Sequence, residues 1–324
     1  MAPTPHPPPG PRPDLRPSLQ AGDDAPPPAT LSDRLVALAV GGLLGLAMRL
    51  PYDRRIPFMG RVFRHLVAPL AGYRRRALAN LAALRPDLSA TARRRIAAGV
   101  ADNAGRSIAE IWSGRAFKAR IAAADPLTGP GLAPLLQAAA AKRPVILAVA
   151  HFGNYDAMRA ALVARGIAVG AVYRPMDNPL FNARYTAAIH AIAEPLFPRS
   201  RAGTADMLRF LRAGGILALG TDQHYGSGAP LTFFGQTAWT TLSPASLALK
   251  YGCDLIPVHA IRQPDGLGFV VRCDAPIPHS DPATMMQAVN DNLETLVRSH
   301  MDQWFWVHRR WKPGRARPPA DPLG

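Results

Sequence analysis

The chain has 324 residues, 48% of them hydrophobic, with 38 Lys plus Arg against 22 Asp plus Glu and a formal charge of +16. That apolar fraction excludes a chain disordered throughout, and the length suits one large α/β domain or two small ones. The only cysteines, Cys253 and Cys273, lie far apart and outside any Cys-x-x-Cys spacing, which argues against a disulfide framework or a structural zinc site. The cationic excess points to an anionic partner: nucleic acid, an anionic membrane surface or a phosphorylated substrate.

Residues 1–30 hold eleven prolines and almost no large apolar side chain, so they cannot bury enough surface to offset their ordering entropy. They read as a disordered tail. They lack the basic start and apolar core of a secretory signal. Leu35 to Met48 is then a run of 14 apolar residues, with Ser32-Asp33 as a candidate helix cap and Arg49 and Pro51 ending it. As a helix this run spans about 21 Å, short of the roughly 20 residues that a full membrane crossing takes. A buried core helix and a membrane anchor both fit, and the basic stretch beyond Arg49 favours residues 31–50 as an anchor segment.

Between Arg49 and Arg120 there are 16 Lys or Arg and four acids, Asp53, Asp87, Asp102 and Glu110. The clusters Arg54-Arg55, Arg61/Arg64, Arg74-Arg75-Arg76 and Arg93-Arg94-Arg95 alternate with apolar Val62, Phe63, Leu66 and Leu70. Residues 51–129 therefore read as basic amphipathic helices that adhere to anionic lipid beside the anchor. A solvated arginine-rich face is the plain alternative. Nucleic acid is set aside, because no zinc finger, recognition helix or aromatic-studded sheet accompanies the charge.

From residue 130 to 313 short apolar runs alternate with helical stretches. Strands are expected at 144–150, 167–173, 215–221, 255–261 and 267–273, and helices at 154–165, 179–193, 203–213, 243–251 and 282–301. Near-continuous apolar strands separated by helices imply a mostly parallel sheet covered on both faces. The last two strands, joined around Gln263-Pro264-Asp265-Gly266, read as an antiparallel hairpin. The expected fold is a three-layer α/β domain with a mixed, largely parallel sheet and a helical, membrane-associated amino-terminal extension. Residues 314–324 form a tail.

The most informative chemistry closes the first of these strands, at His151-Phe-Gly-Asn-Tyr-Asp156. The strand delivers His151 to the edge where α/β proteins place ligands. Gly153 permits a tight turn, Asn154 can cap the following helix, and Asp156 falls in its first turn. Asp156 can then fold back, fix the imidazole tautomer and leave the other nitrogen to take a proton. A structural His beside an Asp is the plain alternative. No nucleophile matches: Ser227 lacks the Gly-x-Ser-x-Gly setting and neither cysteine has a histidine at motif spacing. A base here would act on a substrate hydroxyl.

His151 with Asp156 resembles the His-x-x-x-x-Asp/Glu motif of the glycerolipid acyltransferase superfamily, and the chain looks most like the late (lauroyl/myristoyl) acyltransferases of bacterial lipid A biosynthesis. Tyr155-Asp156 stands where those enzymes typically have Trp-Glu. Further blocks agree in order: Val172-Tyr173-Arg174-Pro175 with Asn178-Pro179, Gly214-Gly215-Ile216-Leu217 running to Thr221-Asp222-Gln223, Phe233-Phe234-Gly235, and Gln303 to Lys312. The resemblance covers roughly residues 35–313.

It implies transfer of a fatty acyl chain from an acyl carrier protein or coenzyme A thioester to a hydroxyl of a phosphorylated glycolipid, at the cytoplasmic face of the inner membrane. His151 would be the base and Asp156 its partner, with no covalent intermediate, metal or cofactor. Amides near Gly153 and Asn154 would meet the oxyanion, Arg174 would bind phosphate, and Asp222 would line the site or orient the acceptor. The tryptophans 304, 306 and 311 with His308 read either as an interfacial patch or as a packed helix end. Phe233-Phe234 reads as either an acyl-pocket wall or core. Acylation of another lipid (lysophosphatidate or an amino-acid lipid) and non-catalytic binding of anionic lipid are the competing functions.

Overall fold

The computed structural model describes residues 29–312 except Asp177. The tail expected at 314–324 and nearly all of the one at 1–30 lie outside the described residues. Helix α1 (Leu31–Met48) starts at least two residues earlier than the Ser32-Asp33 cap implied. Thr30 is the cap: its hydroxyl accepts from the Asp33 backbone N–H, and Asp33 reaches back to the Thr30 N–H. Its 18 residues span about 27 Å. Leu31, Leu35, Val36, Leu38 and Leu46 are exposed, whereas Leu44 and Ala47 pack on Ile56, Met59 and Ala109.

Next come α2 (Tyr52–Val62), a π-helical turn (Phe63–Val67), α3 (Ala68–Leu70), α4 (Tyr73–Leu84), α5 (Ala90–Trp112) and α6 (Gly114–Ala124). The α/β part runs β1 (Leu127–Thr128), α7 (Leu132–Ala140), β2 (Val145–Val149), α8 (Asp156–Ala164), β3 (Val169–Tyr173), α9 (Pro179–Ile192), β4 (Leu196–Pro198), α10 (Arg201–Arg212) and β5 (Ile216–Gly220). It closes with β6 (Ala229–Phe233), β7 (Gln236–Thr240), α11 (Ser243–Tyr251), β8 (Asp254–Arg262), β9 (Phe269–Cys273) and α12 (Pro282–Ser299). All five expected strands and five expected helices are present to within a few residues. Helix α7, the short strands β1 and β4 and the β6–β7 hairpin are present in addition to them.

The sheet has seven strands in the order β1-β9-β8-β2-β5-β3-β4, parallel except for β8 against β9. Strand β2 lies at its centre and is buried along its whole length. Its alternate residues separate cleanly: Val145, Leu147 and Val149 join a core with Phe117, Ile121, Ala157, Met158 and Ile189. Ile146 and Ala148 point the other way, among Leu211, Ala245, Ala248, Met285 and Val289. Helices thus cover both faces, the three-layer arrangement that continuous apolar strands require. Both cysteines are buried and unbridged.

Helix α5 ties the amino-terminal helices to the sheet. Asn103, Ser107 and Glu110 recur at i, i+4 and i+7 and so share one face. Glu110 is fully buried and forms a bidentate pair with Arg262 at the end of β8. Asn103 accepts from Arg262 Nε at 2.7 Å, and Asn103 and Ser107 each donate to the Gly153 carbonyl at 2.9 Å. Asn154 Nδ2 donates to Glu110 Oε2 at 2.9 Å. Removing one member of such a pair strands the other charge in the interior. We therefore expect Glu110→Ala to lower stability by about 3–5 kcal/mol, read from the denaturant midpoint. The apolar double change Glu110→Leu/Arg262→Met should cost markedly less.

Candidate functional site

The parallel register of β2 and β5 builds the site. Val145 lies opposite Ile216 and Val149 opposite Gly220, a constant offset of 71 residues. Extended two residues past the strand ends, that offset sets His151 beside Asp222. His151 Nδ1 meets Asp222 Oδ1 at 2.8 Å, and the His151 backbone N–H donates to Asp222 Oδ2 at 2.9 Å. Asp222 is fully buried, and its third donor is the Trp304 indole N–H at 2.9 Å. With Nδ1–H held by the carboxylate, Nε2 is the nitrogen left to accept a proton. Gln223 Nε2 stands 3.5 Å from it. About a third of the His151 side chain (34%) reaches solvent.

The electrostatics follow from this contact. Burial alone would raise the Asp222 carboxyl, but the His151 ring and N–H, with His308 nearby, hold it well below the usual carboxylate range. For His151, desolvation pulls downward, and the Asp222 charge and hydrogen bond outweigh it, so its pKa lies above the ordinary imidazole value. His308 packs edge-on against His151 with ring centroids 4.6 Å apart. Burial, then the His151 charge, push it down to about 4, so it stays neutral near pH 7. His151, Asp222 and His308 bring ligating atoms within 4.8 Å of one another, the set among the described residues that could hold a cation. Both Asp222 oxygens are already occupied by N–H donors, which suits a carboxylate that orients an imidazole.

The expected partnership of His151 with Asp156 is corrected by this geometry. Asp156 is fully buried, but its Oδ1 accepts from Arg159 at 2.7 Å, and Arg159 also donates to the Ala193 carbonyl at 2.5 Å. The two sit three apart on α8 and share a face, so the nearest countercharge is helical. Asp156 pins the start of α8 to the end of α9. Burial raises its pKa against the opposing pull of Arg159.

Gly153 keeps its expected turn, but its N–H is spent elsewhere. Gly153 makes the tight turn, with φ 54° and so little room that a Cβ would lie 1.8 Å from the Ala260 carbonyl oxygen. Its N–H donates to the Gln303 carbonyl at 2.9 Å and is not available to an oxyanion. Asn154 Oδ1 accepts from the Asp156 N–H at 3.0 Å just ahead of α8, and its buried side-chain amide donates to Glu110. Arg174 is exposed and directly follows β3, at the same sheet edge and two strands from His151.

The closing block is packed, and not an interfacial patch. Trp304 and Trp306 are fully buried with Phe233 and Phe234, so those phenylalanines are core as well. The block braces the His151 turn: Phe305 N–H donates to the His151 carbonyl at 3.0 Å, and the Gln303 side chain bridges the Arg262 N–H and carbonyl. Arg310, also fully buried, donates to the Trp239 carbonyl and the Thr240 hydroxyl, both at 2.7 Å. The roles of Trp304, Gln303 and His308 carry no local sequence signal, since their partners Asp222, Arg262, Gly153 and His151 lie more than 40 residues away in the chain.

A family profile described as bacterial lipid A biosynthesis acyltransferase matches residues 29–313. Among curated proteins, the chain is 27% identical to a lipid A biosynthesis lauroyltransferase of Escherichia coli over 192 residues, 56% of this chain and 60% of that protein. It is 26% identical to a phosphatidylinositol mannoside acyltransferase of Mycobacterium tuberculosis over 185 residues, 56% of this chain and 58% of that one. A lipid A biosynthesis acyltransferase of Haemophilus influenzae is 27% identical over 44% of this chain and 47% of its own length. The matched stretch thus spans at most 60% of these relatives.

The imidazole can be titrated directly. By NMR, His151 should titrate above 6.5. Asp222→Asn should bring it below that value, because desolvation remains and the countercharge is gone. Asp156→Asn should leave it nearly where it was, and a fall of equal size there would restore the original pairing.

Proposed function

The chain belongs to the bacterial lipid A biosynthesis acyltransferase family, and from that membership and the site geometry we propose that it moves a fatty acyl chain from a thioester to a hydroxyl of a phosphorylated glycolipid. The observation that carries this reading is the 2.8 Å contact of His151 Nδ1 with a buried Asp222, which leaves Nε2 of a partly exposed imidazole of raised basicity. Nε2 takes the hydroxyl proton while the acceptor oxygen attacks the thioester carbonyl. The Asp222 charge stabilises the imidazolium so formed. Collapse of the tetrahedral intermediate breaks the carbon–sulfur bond, and the leaving thiolate takes the proton back. A thioester is already activated, so the step uses no enzyme nucleophile. The Gln223 amide, nearest to Nε2, is the donor assigned to the oxyanion. Arg174, at the same edge, contacts acceptor phosphate.

The donor in this reading is acyl carrier protein or coenzyme A thioester, and the acceptor is a lipid A precursor. Helix α1 anchors the chain at the cytoplasmic face of the inner membrane through its exposed leucines, and the arginines beyond it meet anionic lipid.

Product mass spectrometry tests the chemistry, with acyl carrier proteins of several chain lengths, a tetra-acylated lipid A precursor and lysophosphatidate in competition. Wild type should add one acyl mass to the glycolipid, and His151→Ala should slow this by about 10²–10⁴-fold. Undiminished transfer by His151→Ala would discard the mechanism. Transfer to lysophosphatidate alone would move the acceptor to simple glycerolipids. Deleting residues 31–50 should release the protein from sedimenting membranes, and quantitative retention would refute the anchor.

A further inference from the structure

Beside the acid–base pair lies a cavity of about 310 Å³ that its chemistry leaves unused. Its walls include Arg75, Arg76 and Asn80 from α4 and His308 and Arg309 from the closing block, with no carboxylate among them. Arg75 and Arg309 are exposed, and their side chains form no hydrogen bond or ion pair with any described residue. Arg76 is held in place, donating to the Ala71 carbonyl at 3.2 Å and lying 5.1 Å over the Tyr73 ring. Asn80 fixes the opposite wall, its Nδ2 donating to the Trp306 and His308 carbonyls at 2.7 and 3.0 Å.

The backbone adds to the same field. Gly72 forms part of the wall and precedes α4 in the left-handed region, φ 69°, with no side chain capping the helix. The first-turn N–H groups of α4 thus lack a side-chain acceptor, and the positive end of the helix dipole opens at the cavity. Three guanidinium groups gathered without a countercharge repel one another, and a dianion with several acceptor oxygens removes the repulsion while filling the donors. His308 connects this wall to the reacting nitrogen's ring, 4.6 Å away centroid to centroid.

We propose that this cavity is a phosphate subsite that seats a phosphoryl group of a bound substrate beside His151, with Arg75, Arg76, Arg309 and the α4 amino terminus as its donors. The placement beside the base rests on the acyl-transfer reading; the anion site itself does not. A phosphate on the acceptor glycolipid and the phosphate in the donor's pantetheine arm carry the same chemistry, and kinetics separate them.

The experiment compares full-length wild type in detergent with Arg75→Ala/Arg309→Ala, and with Arg209→Ala/Arg212→Ala, an equal charge loss from exposed positions on α10. Inorganic phosphate is titrated first, following the His308 ring signals by NMR. Saturable shifts in wild type and the α10 variant, lost in Arg75→Ala/Arg309→Ala, support the subsite even if no acyl transfer is found. Equal shifts in all three, or none in wild type, overturn it. In steady state, a KM for phosphorylated acceptor raised about 10-fold or more, with kcat and the dephosphorylated acceptor unaffected, supports an acceptor phosphate. A KM raised for the donor alone supports the pantetheine phosphate. Unchanged constants for both substrates overturn the role in the reaction. Unchanged thermal midpoints show that the folds are intact.

Discussion

A carboxylate shut away from water has to find its hydrogen bonds within the protein, and Asp222 finds three. Each comes from a different group: the His151 backbone, the His151 ring and the Trp304 indole. The parallel register of β2 and β5 brings the first two, and the closing block brings the third. The position of the imidazole is therefore a by-product of satisfying one buried charge. The buried Glu110–Arg262 pair performs the same service one layer away, holding the carbonyl side of the Gly153 turn through Asn103 and Ser107.

What could be read from the residues alone divides along the reach of each interaction. The five strands of the α/β part were legible because continuous apolar runs such as 145–149 have no other use than a sheet covered on both faces. The His151 turn was legible too, since Gly153, Asn154 and the start of α8 interact over a few residues. The partner of His151 was not. A spacing of five residues to Asp156 is visible in sequence, whereas a separation of 71 becomes a contact only once two strands pair. Asp222 could be placed at a strand end and hence in the site wall, but nothing local distinguished an orienting carboxylate from a bystander. The tryptophans of the closing block posed the same difficulty. An aromatic-basic stretch looks alike whether it meets lipid or core, and only the indole partners, Asp222 for Trp304 and the Met301 carbonyl for Trp306, decide it.

The few acids among the arginine-rich helices all have partners. Asp53 pairs with Arg120, Asp87 with Arg85, Asp102 with Arg106 and Glu110 with Arg262. Every acid in that stretch is committed inside the protein. The surplus positive charge is free of internal carboxylates and therefore available to an anionic surface or substrate, while Leu66 and Leu70 remain exposed among it. The segment combines two duties: one face of α5 braces the sheet edge, and the exposed face carries the charge.

The bracing by the closing block also has a bearing on time. During synthesis α1 leaves the ribosome ahead of the sheet, and β2 and β5 emerge long before residues 303–310. Until those residues arrive, Asp222 lacks its indole donor, the His151 carbonyl lacks the Phe305 N–H, and the Gly153 N–H lacks the Gln303 carbonyl. The fully braced His151–Asp222 contact is thus among the last features the nascent chain can complete, well after the apolar helix α1 has emerged. A chain broken off short of Trp304 would hold the apolar helix α1 but lack the indole that completes the shell of Asp222.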